Sequence, residues 1–410
     1  VASFERYAKS PIGKNRLKWV TSIRALDDHT VRFTLNDNVA FLAMISSPAP
    51  FIAVMPAEIV AKYGTEQVVG KDLIGTGPFS LIEWRPDVYV RLAKFKDYQP
   101  DTRYEGSVGF HGHREVFVDE VQIIPTTESA ARLAALETGE FDFAESLPIT
   151  AYEDLLTNPE VTPSIVKPKW AISMNMNHKD PWIKKRAFRQ ALVYAMDPAS
   201  VLKAVTLGNE KFFRVQPSMY FPEQKDFYSL AGADKIYNTR DLVKARALLK
   251  EAGYNGEELV YLSNRDYDWM YRTALALTRQ WKDVGLNFRV EFLDWPSQRQ
   301  KAVSGKGWQI SQTGWSPTFD PATIVQSRFV SGNELSYFYQ NEKMTELCLE
   351  ITKGYPLEKR QQIWHQIQAF FWEDVPYLRV GDYFELEGYR TSLQGYRSFY
   401  VTPRFWNVKK

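Results

Sequence analysis

Apolar and polar residues alternate in some stretches of the chain and recur with helical spacing in others. Residues 30–35 alternate as a half-buried strand does, and residues 56–63 begin with proline, as a short helix often does. Residues 79–84 and 88–93 predict a hairpin with Pro86-Asp87 at its turn. The first part of the chain is therefore predicted to be mixed α and β.

A strand, a helix and a second strand follow with short connections. They are predicted at residues 118–125, 130–138 and 141–144, and Gly139 ends the helix. Strand, helix and strand in this order indicate a βαβ crossover, which implies a mainly parallel sheet.

The pattern starts again at Ile172 and predicts a second α/β unit. The sequence contains no internal repeat, and no Pro/Gly-rich linker separates the two units. This favours two lobes joined by crossing strands, with a cleft between the lobes as the natural place for a ligand. The predicted helices of the second unit are residues 184–194, 198–205, 241–252, 271–284 and 355–372, and its predicted strands include 287–293 and 308–313.

Composition narrows the possible functions. The 51 basic and 49 acidic residues give a net charge of +2, which is too balanced for a nucleic-acid-binding surface. No apolar run approaches the ~18 residues of a membrane span, and residues 1–6 show no signal-peptide pattern. The single cysteine, Cys348, lies in a helical pattern and is expected in the core.

Motifs for catalysis or metal binding are incomplete. Gly75-Thr76-Gly77 lacks the following Lys-Ser/Thr of a phosphate loop. The pair His111 and His113 lacks a third ligand at a characteristic spacing, and His178 is open to two interpretations, core or cleft. No nucleophile elbow or zinc-protease motif occurs. We therefore expect no enzyme activity, no cofactor and no metal.

Two tryptophans stand where predicted strands end. Trp295 follows the strand 287–293, and Trp315 follows the strand 308–313. Open α/β sheets bind ligands at the carboxyl ends of their strands, so both rings are candidates for ligand contact. Tryptophans of an ordinary core would give the same pattern, and the sequence leaves both interpretations open.

Short segments distributed along the chain are similar to one known family. The chain resembles the family 5 solute-binding proteins, the peptide, nickel and opine receptors of ABC importers. The order and the number of the matching segments carry the resemblance. They are Ser3-Phe4-Glu5-Arg6, Asp28-His29-Thr30-Val31-Arg32-Phe33-Thr34-Leu35, Ile74-Gly75-Thr76-Gly77-Pro78-Phe79, Leu136-Glu137-Thr138-Gly139-Glu140-Phe141-Asp142, Arg186-Ala187-Phe188-Arg189-Gln190-Ala191-Leu192, Ala195-Met196-Asp197-Pro198, Ala245-Arg246-Ala247-Leu248-Leu249-Lys250-Glu251-Ala252-Gly253-Tyr254 and Gly314-Trp315.

The resemblance implies a fold and a division into domains. The fold is an α/β, two-lobed type II periplasmic binding protein fold with an inter-lobe ligand cleft. Lobe I is expected at residues 1–171, N-terminally incomplete and with a smaller subdomain within about 1–73. Lobe II is expected at 172–383, and residues 384–410 return to lobe I. Hinges are expected near 169–174 and 382–389, so that the lobes close over the ligand.

The resemblance also implies a function. The chain is expected to be the substrate-binding component of an ABC importer, which captures a peptide or peptide-like small solute and delivers it to a membrane permease. It is expected to be a monomer without a nucleic-acid partner. Its expected location is periplasmic or extracellular, with attachment through the permease or a lipid anchor. The alternatives are a secreted α/β hydrolase and a receptor fragment that does not transport.

The resemblance points to ligand contacts and to one departure from the family. Peptide receptors of this family often carry an Asp shortly after the Gly-Trp pair, which binds the ligand's ammonium. Here Thr318 stands at that position, and Asp320, two residues later, either pairs with a cation or caps the next turn. A free-amino peptide is less favoured for this reason. The predicted ligand contacts are Trp295, Trp315, Ser316, Thr318, Asp320, Tyr267 and Met270.

Overall fold

The computed structural model describes residues 1–45, 52–316, 318–330, 332, 336–399 and 402–410. The chain forms two compact units. Unit 1 comprises Val1–Thr34, Pro50–Lys167 and Glu385–Lys410, and unit 2 comprises Leu35–Ala49 and Pro168–Phe384. Across the described ranges, no helix combines the length and the apolar character that a membrane span needs.

Helices and strands are interspersed along the described chain. The helices are α1 (Ala2–Ala8), α2 (Pro11–Arg16), α3 (Phe41–Ile45), α4 (Ala57–Tyr63), α5 (Ser129–Thr138), α6 (Tyr152–Thr157), α7 (Arg186–Tyr194), α8 (Pro198–Val205), α9 (Leu242–Ala252), α10 (Asp268–Lys282), α11 (Trp295–Ser304), α12 (Glu342–Ile351) and α13 (Leu357–Asp374). The strands are β1 (Val20–Ala25), β2 (Val31–Leu35), β3 (Phe79–Arg85), β4 (Tyr89–Lys94), β5 (Ser107–Val108), β6 (His111–Gly112), β7 (Glu120–Ile123), β8 (Phe143–Leu147), β9 (Val161–Met176), β10 (Phe213–Arg214), β11 (Glu258–Ser263), β12 (Asn287–Phe292), β13 (Ile310–Trp315) and β14 (Tyr377–Arg390).

Unit 2 is built on a mixed sheet with the strand order β10-β14-β9-β13-β11-β12. Strands β11 and β12 are parallel, as are β11 and β13, and the helices α10 and α11 connect them. Strand β13 runs antiparallel to β9, with Trp315 opposite Ala171. The carboxyl ends of β11, β12 and β13 therefore share one edge. Trp315 is the last residue of β13, and Tyr267 and Trp295 follow the ends of β11 and β12.

Unit 1 contains smaller sheets, and one of them corrects a prediction. Strand β7 pairs antiparallel with β4, whereas β8 pairs antiparallel with β14. The predicted parallel βαβ crossover is therefore wrong. The reason lies in β7, where Ile123 is exposed and polar residues alternate with apolar ones. A strand inside a parallel sheet is buried on both faces, so this alternation indicates antiparallel pairing.

The core of unit 2 is rich in large rings. Trp281, Trp364 and Trp372 are fully buried, and the Trp281 indole nitrogen donates to the carbonyl oxygen of Leu192 over 3.0 Å. Cys348 is also fully buried within α12, which confirms its predicted place in the core. These buried rings therefore stabilise the fold.

Helix boundaries follow the capping residues that the sequence supplies. The Asp241 carboxylate accepts a hydrogen bond from the Lys244 backbone N–H over 2.9 Å and begins α9. Gly253 ends α9 with a left-handed backbone (φ 75°), and Gly139 ends α5 in the same way (φ 82°). Both glycine ends lie where the sequence predicts them.

The compact units and the predicted lobes divide the chain differently at one segment. Leu35–Ala49 groups with unit 2, because the Ala40 N–H donates to the Thr352 carbonyl over 2.7 Å and the Gly354 N–H donates to the Asn38 carbonyl over 3.0 Å. Strands β9 and β14 each continue from one unit into the other. The bounds of the lobes stay a proposal.

Candidate functional site

Trp315 is the last residue of β13, and the glycine before it is enclosed by two other tryptophans. A Cβ atom on Gly314 would lie 3.1 Å from the Trp269 ring and 3.2 Å from the Trp170 ring. Trp269 in turn stacks on Tyr383, with ring centroids 5.7 Å apart. The Gly-Trp pair therefore has a packing role, because only glycine lets these rings approach the strand closely.

Trp315 also forms one wall of a small recess in unit 2. The guanidinium carbon of Arg328 lies 3.8 Å from the centroid of the Trp315 ring, which is a close cation–π contact. Burial lowers the pKa of the Arg328 guanidinium. The recess thus joins an aromatic face to a partly buried positive charge. Its lining residues are Asn175, Met176, Trp315, Arg328, Ser336, Tyr337, Pro376 and Tyr377.

Tyr267 and Trp295 form a second aromatic pair. Their rings meet edge to face with centroids 6.2 Å apart. Arg299 lies 5.8 Å from the centroid of the Trp295 ring and donates a hydrogen bond to the hydroxyl of Tyr337, which lines the recess. Arg299 and Tyr337 thereby connect the aromatic pair to the recess beside Trp315.

The local structure around Trp295 differs slightly from the prediction. Trp295 begins α11, and Asp294 caps this helix by accepting from the Ser297 N–H over 2.9 Å. The Trp295 backbone N–H donates to the carboxylate of Asp266 over 2.7 Å. The Trp295 ring is partly buried, whereas Tyr267 is 39% exposed. These two rings have surface left for a ligand.

Thr318 and Asp320 have partners within unit 2. The Thr318 carbonyl accepts from the Gln224 amide over 2.5 Å, and its hydroxyl lies 3.4 Å from the hydroxyl of Tyr220. The Asp320 carboxylate accepts two hydrogen bonds from Arg360, one of them over 2.7 Å, and a third from the Ala322 N–H over 2.9 Å. Asp320 therefore caps a turn and neutralises Arg360, and a ligand ammonium would have to replace that arginine.

Met270 and Ser316 complete the predicted set. Helix α10 begins at Asp268, one turn before the predicted start, so Met270 lies in its first turn. Acidic Asp268 suits the positive end of the helix dipole. Met270 is only 4% exposed and its sulfur lies 3.0 Å from the Asn264 amide nitrogen, so it would reach a ligand only if that contact opened. Ser316 is partly buried directly after Trp315.

The histidines that the sequence singles out lie in other surroundings. His178 is buried, and its Nε2–H donates to the carbonyl oxygen of Pro376 over 2.8 Å. The core interpretation of His178 is therefore correct. His111 packs against the ring of Tyr104, and the Nδ1 of His113 lies 3.3 Å from the carbonyl oxygen of Asp101. The described ranges hold no group of three His, Cys, Asp or Glu side chains that could bind a metal.

Of the eight described residues that line the recess, sequence reasoning singled out only Trp315 and missed the other seven. Arg328 stands in a segment that is buried at Ile324, Val325 and Phe329, and an arginine so close to buried apolar residues is a weak signal. Asn175 lies on β9 between two buried methionines and gives a weaker signal of the same kind. Tyr377 begins β14 next to Pro376, and nothing in its local sequence distinguishes it.

Comparisons with known proteins identify the family. Residues 1–336 match the bacterial extracellular solute-binding proteins, family 5 Middle. A Sinorhizobium fredii protein, named as a probable peptide ABC transporter periplasmic-binding protein, is 26% identical; the match covers 100% of this chain and 78% of that protein. The glutathione-binding protein GsiB of Escherichia coli is 27% identical, with 89% of this chain and 69% of that protein covered.

A solved structure shows the same fold. The periplasmic binding protein DppA of Helicobacter pylori, in complex with the peptide STSA, superposes with a TM-score of 0.83 at 21% identity. The superposition covers 99% of this chain and 80% of DppA. The predicted two-lobed type II periplasmic binding fold and the predicted role as the solute-binding component of an ABC importer are confirmed. The chain belongs to the bacterial extracellular solute-binding proteins of family 5.

Proposed function

We propose that this chain captures a peptide-like solute at the Trp315 end of β13 and delivers it to a membrane permease. The recess beside Trp315 carries this proposal, because it combines an aromatic face with polar side chains. Ligand sites in proteins are mostly apolar, with a few well-placed polar groups that fix the orientation of the ligand. Two relatives named for peptide and glutathione binding support the choice of solute class.

The proposed contacts are unequal in what they offer. Trp315, Trp295 and Tyr267 would stack on the solute, and the Ser316 and Thr318 hydroxyls would bind its polar groups. Asp320 and Met270 would contribute only after giving up Arg360 and Asn264. A solute that needs a carboxylate partner for its ammonium at this position is therefore disfavoured, since Thr318 carries no charge.

The remaining features of the proposal concern partners, location and motion. We place the chain in the periplasm or outside the cell, held by the permease or by a lipid anchor. It acts as a monomer, without a nucleic-acid partner and without bond chemistry. The hinge is proposed at residues 169–174 and 382–389, within the crossing strands β9 and β14, so that the solute is bound by closure of the lobes.

Thermal unfolding with a solute panel tests this function. The panel contains glutathione, the tetrapeptide Ser-Thr-Ser-Ala, further di- to pentapeptides, opines and metal chelates. A solute present at 100 times its Kd stabilises the folded chain by about 2.7 kcal/mol, so a true ligand raises the melting temperature clearly. If no peptide-like solute raises it while an unrelated class does, the proposed solute class is wrong.

Calorimetry on Trp315→Ala then tests the site with the best solute of the panel. We expect affinity to fall at least about tenfold, because loss of a stacked aromatic contact in a binding site costs ~2 kcal/mol. Trp84→Ala is the matched control, since Trp84 lies exposed on β3 in unit 1 and its loss should leave affinity unchanged. Equal affinities of wild type and Trp315→Ala would place the site elsewhere.

A further inference from the structure

Three nitrogen donors line the recess beside Trp315, and the described residues offer them few acceptors. The side-chain nitrogen of Asn175 and the indole nitrogen of Trp315 are buried, and neither has a hydrogen-bond partner within the described residues. Asn175 itself is only 3% exposed. Buried donors are nearly always satisfied in folded proteins, so two of them at one recess require an explanation.

The third donor is the guanidinium of Arg328, which is positively charged and belongs to a partly buried residue. Among the described side chains no carboxylate pairs with it, and only the hydroxyls of Tyr220 and Tyr377 favour its charge. A buried cation without an anionic partner is costly, because desolvation is not offset. The neighbouring cation Arg379 differs, since Asp382 neutralises it within the core.

We propose that Arg328, Asn175 and Trp315 form a subsite for a carboxylate group of the solute. A carboxylate has two oxygens that accept hydrogen bonds in one plane, which matches the fork of a guanidinium. It would supply the missing negative charge to Arg328 and acceptors to the Asn175 amide and the Trp315 indole. The solute is therefore anionic at the end that enters the recess.

The inference rests on the proposed function and makes it more specific. At the other anchoring position, Thr318 is uncharged and Asp320 is occupied by Arg360. The charge that the recess offers to a ligand is therefore the positive charge of Arg328. Recognition in unit 2 would select a solute by its carboxylate and not by its ammonium.

The acetate ion provides a probe that does not depend on knowing the solute. Protein labelled with ¹⁵N-tryptophan is titrated with sodium acetate at constant ionic strength, with sodium chloride as the reference salt. The indole N–H signal of Trp315 is assigned through Trp315→Phe. We expect a saturable shift of this signal with acetate, because its N–H gains an acceptor, and none with chloride.

Two variants separate binding from folding. In Arg328→Gln the acetate response should weaken at least about tenfold, the range for loss of a hydrogen bond to a charged group. Asn175→Asp keeps the size of the side chain but places a carboxylate in the recess. This variant should abolish the acetate response and raise the melting temperature of the ligand-free chain. Arg265→Gln, an exposed arginine beside Tyr271, is the matched control and should respond as wild type does.

The possible outcomes distinguish this inference from the proposed function. An unchanged Trp315 signal in wild type, or an equal response in Arg328→Gln, overturns the carboxylate subsite. A tighter response to inorganic phosphate than to acetate also overturns it, in favour of a phosphorylated solute. An acetate response with no peptide-like hit in the solute panel supports the subsite and contradicts only the proposed solute class.

Discussion

The imidazole of His178 lies in the core of unit 2, beside the ring of Tyr339 and the carbonyl oxygen of Pro376. Burial, with a smaller effect of the nearby Arg189 charge, lowers the pKa of His178 to about 3. Arg189 shows the complementary case, because it is buried together with Asp374 and donates to its carboxylate over 2.8 Å. At the residue scale, Arg189 and His178 show two ways to bury an ionisable group in this unit, by pairing it with a carboxylate or by keeping it neutral, and within the described residues Arg328 follows neither.

The folding stability of the chain should therefore fall in mild acid because of His178. The folded-state pKa of about 3 lies below the unfolded value of about 6.5, so the unfolded chain binds the proton more tightly. The contribution is fully present above pH 6.5 and is lost progressively as the pH falls toward 3. Between pH 7 and 5 it amounts to about 2 kcal/mol.

Urea unfolding at pH 7 and pH 5 measures this effect. From pH 7 to pH 5, the decrease in the free energy of unfolding should be about 2 kcal/mol smaller in His178→Gln than in wild type. His29→Gln, in an exposed turn, is the control for replacing an imidazole with an amide. Equal drops in wild type and His178→Gln would contradict a buried, neutral imidazole.

At the element scale, the structure confirms most of the predicted helices and the β3–β4 hairpin, whereas the pairing of strands distant in sequence was not predictable. Residues such as Asp241 and Gly253 act through bonds to their own neighbours, so the local sequence contains the whole signal for α9. Pairing of β7 with β4 and of β8 with β14 depends on contacts between segments distant in sequence. The same holds for the residues of the candidate site. The position of Trp315 at a strand end can be predicted from the local sequence, whereas the contact between Trp315 and Arg328 depends on tertiary packing.

Strand β14 shows how one small residue lets two strands meet. A Cβ atom on Gly381 would lie 2.6 Å from a methyl group of Leu202 and 2.8 Å from the carbonyl oxygen of Arg214 on β10. The methyl group can rotate away, but the backbone of β10 can move only by disturbing its pairing with β14. Gly381→Ala should therefore destabilise the chain by about 1–3 kcal/mol, the usual cost of overpacking.

Denaturant unfolding of Gly381→Ala measures that cost. Gly75→Ala is the control, because Gly75 is exposed and a Cβ atom there would meet nothing within 4 Å. The control should change the free energy of unfolding by less than about 0.5 kcal/mol. If both variants unfold alike, the close approach of β10 and β14 at Gly381 is not needed for stability.

At the scale of the whole molecule, we propose that the chain holds a solute without transforming it. The two compact units are connected through the long strands β9 and β14, and the recess of unit 2 is lined by rings, amides and an arginine. These groups can stack and donate hydrogen bonds. A binding protein needs such groups together with a change of conformation.

The bound solute should accordingly leave the protein as it entered. We expect a solute from the panel, incubated with the chain for hours and released by denaturation, to show an unchanged mass and an unchanged amount by mass spectrometry. Light scattering after size-exclusion chromatography should give the single-chain mass of 47.4 kDa with and without the solute, because we propose that the chain acts as a monomer. Buffer without protein is the control for spontaneous breakdown. A product that accumulates in proportion to protein concentration, and is lost in Trp315→Ala, would show catalysis at this site and overturn the proposal of binding alone.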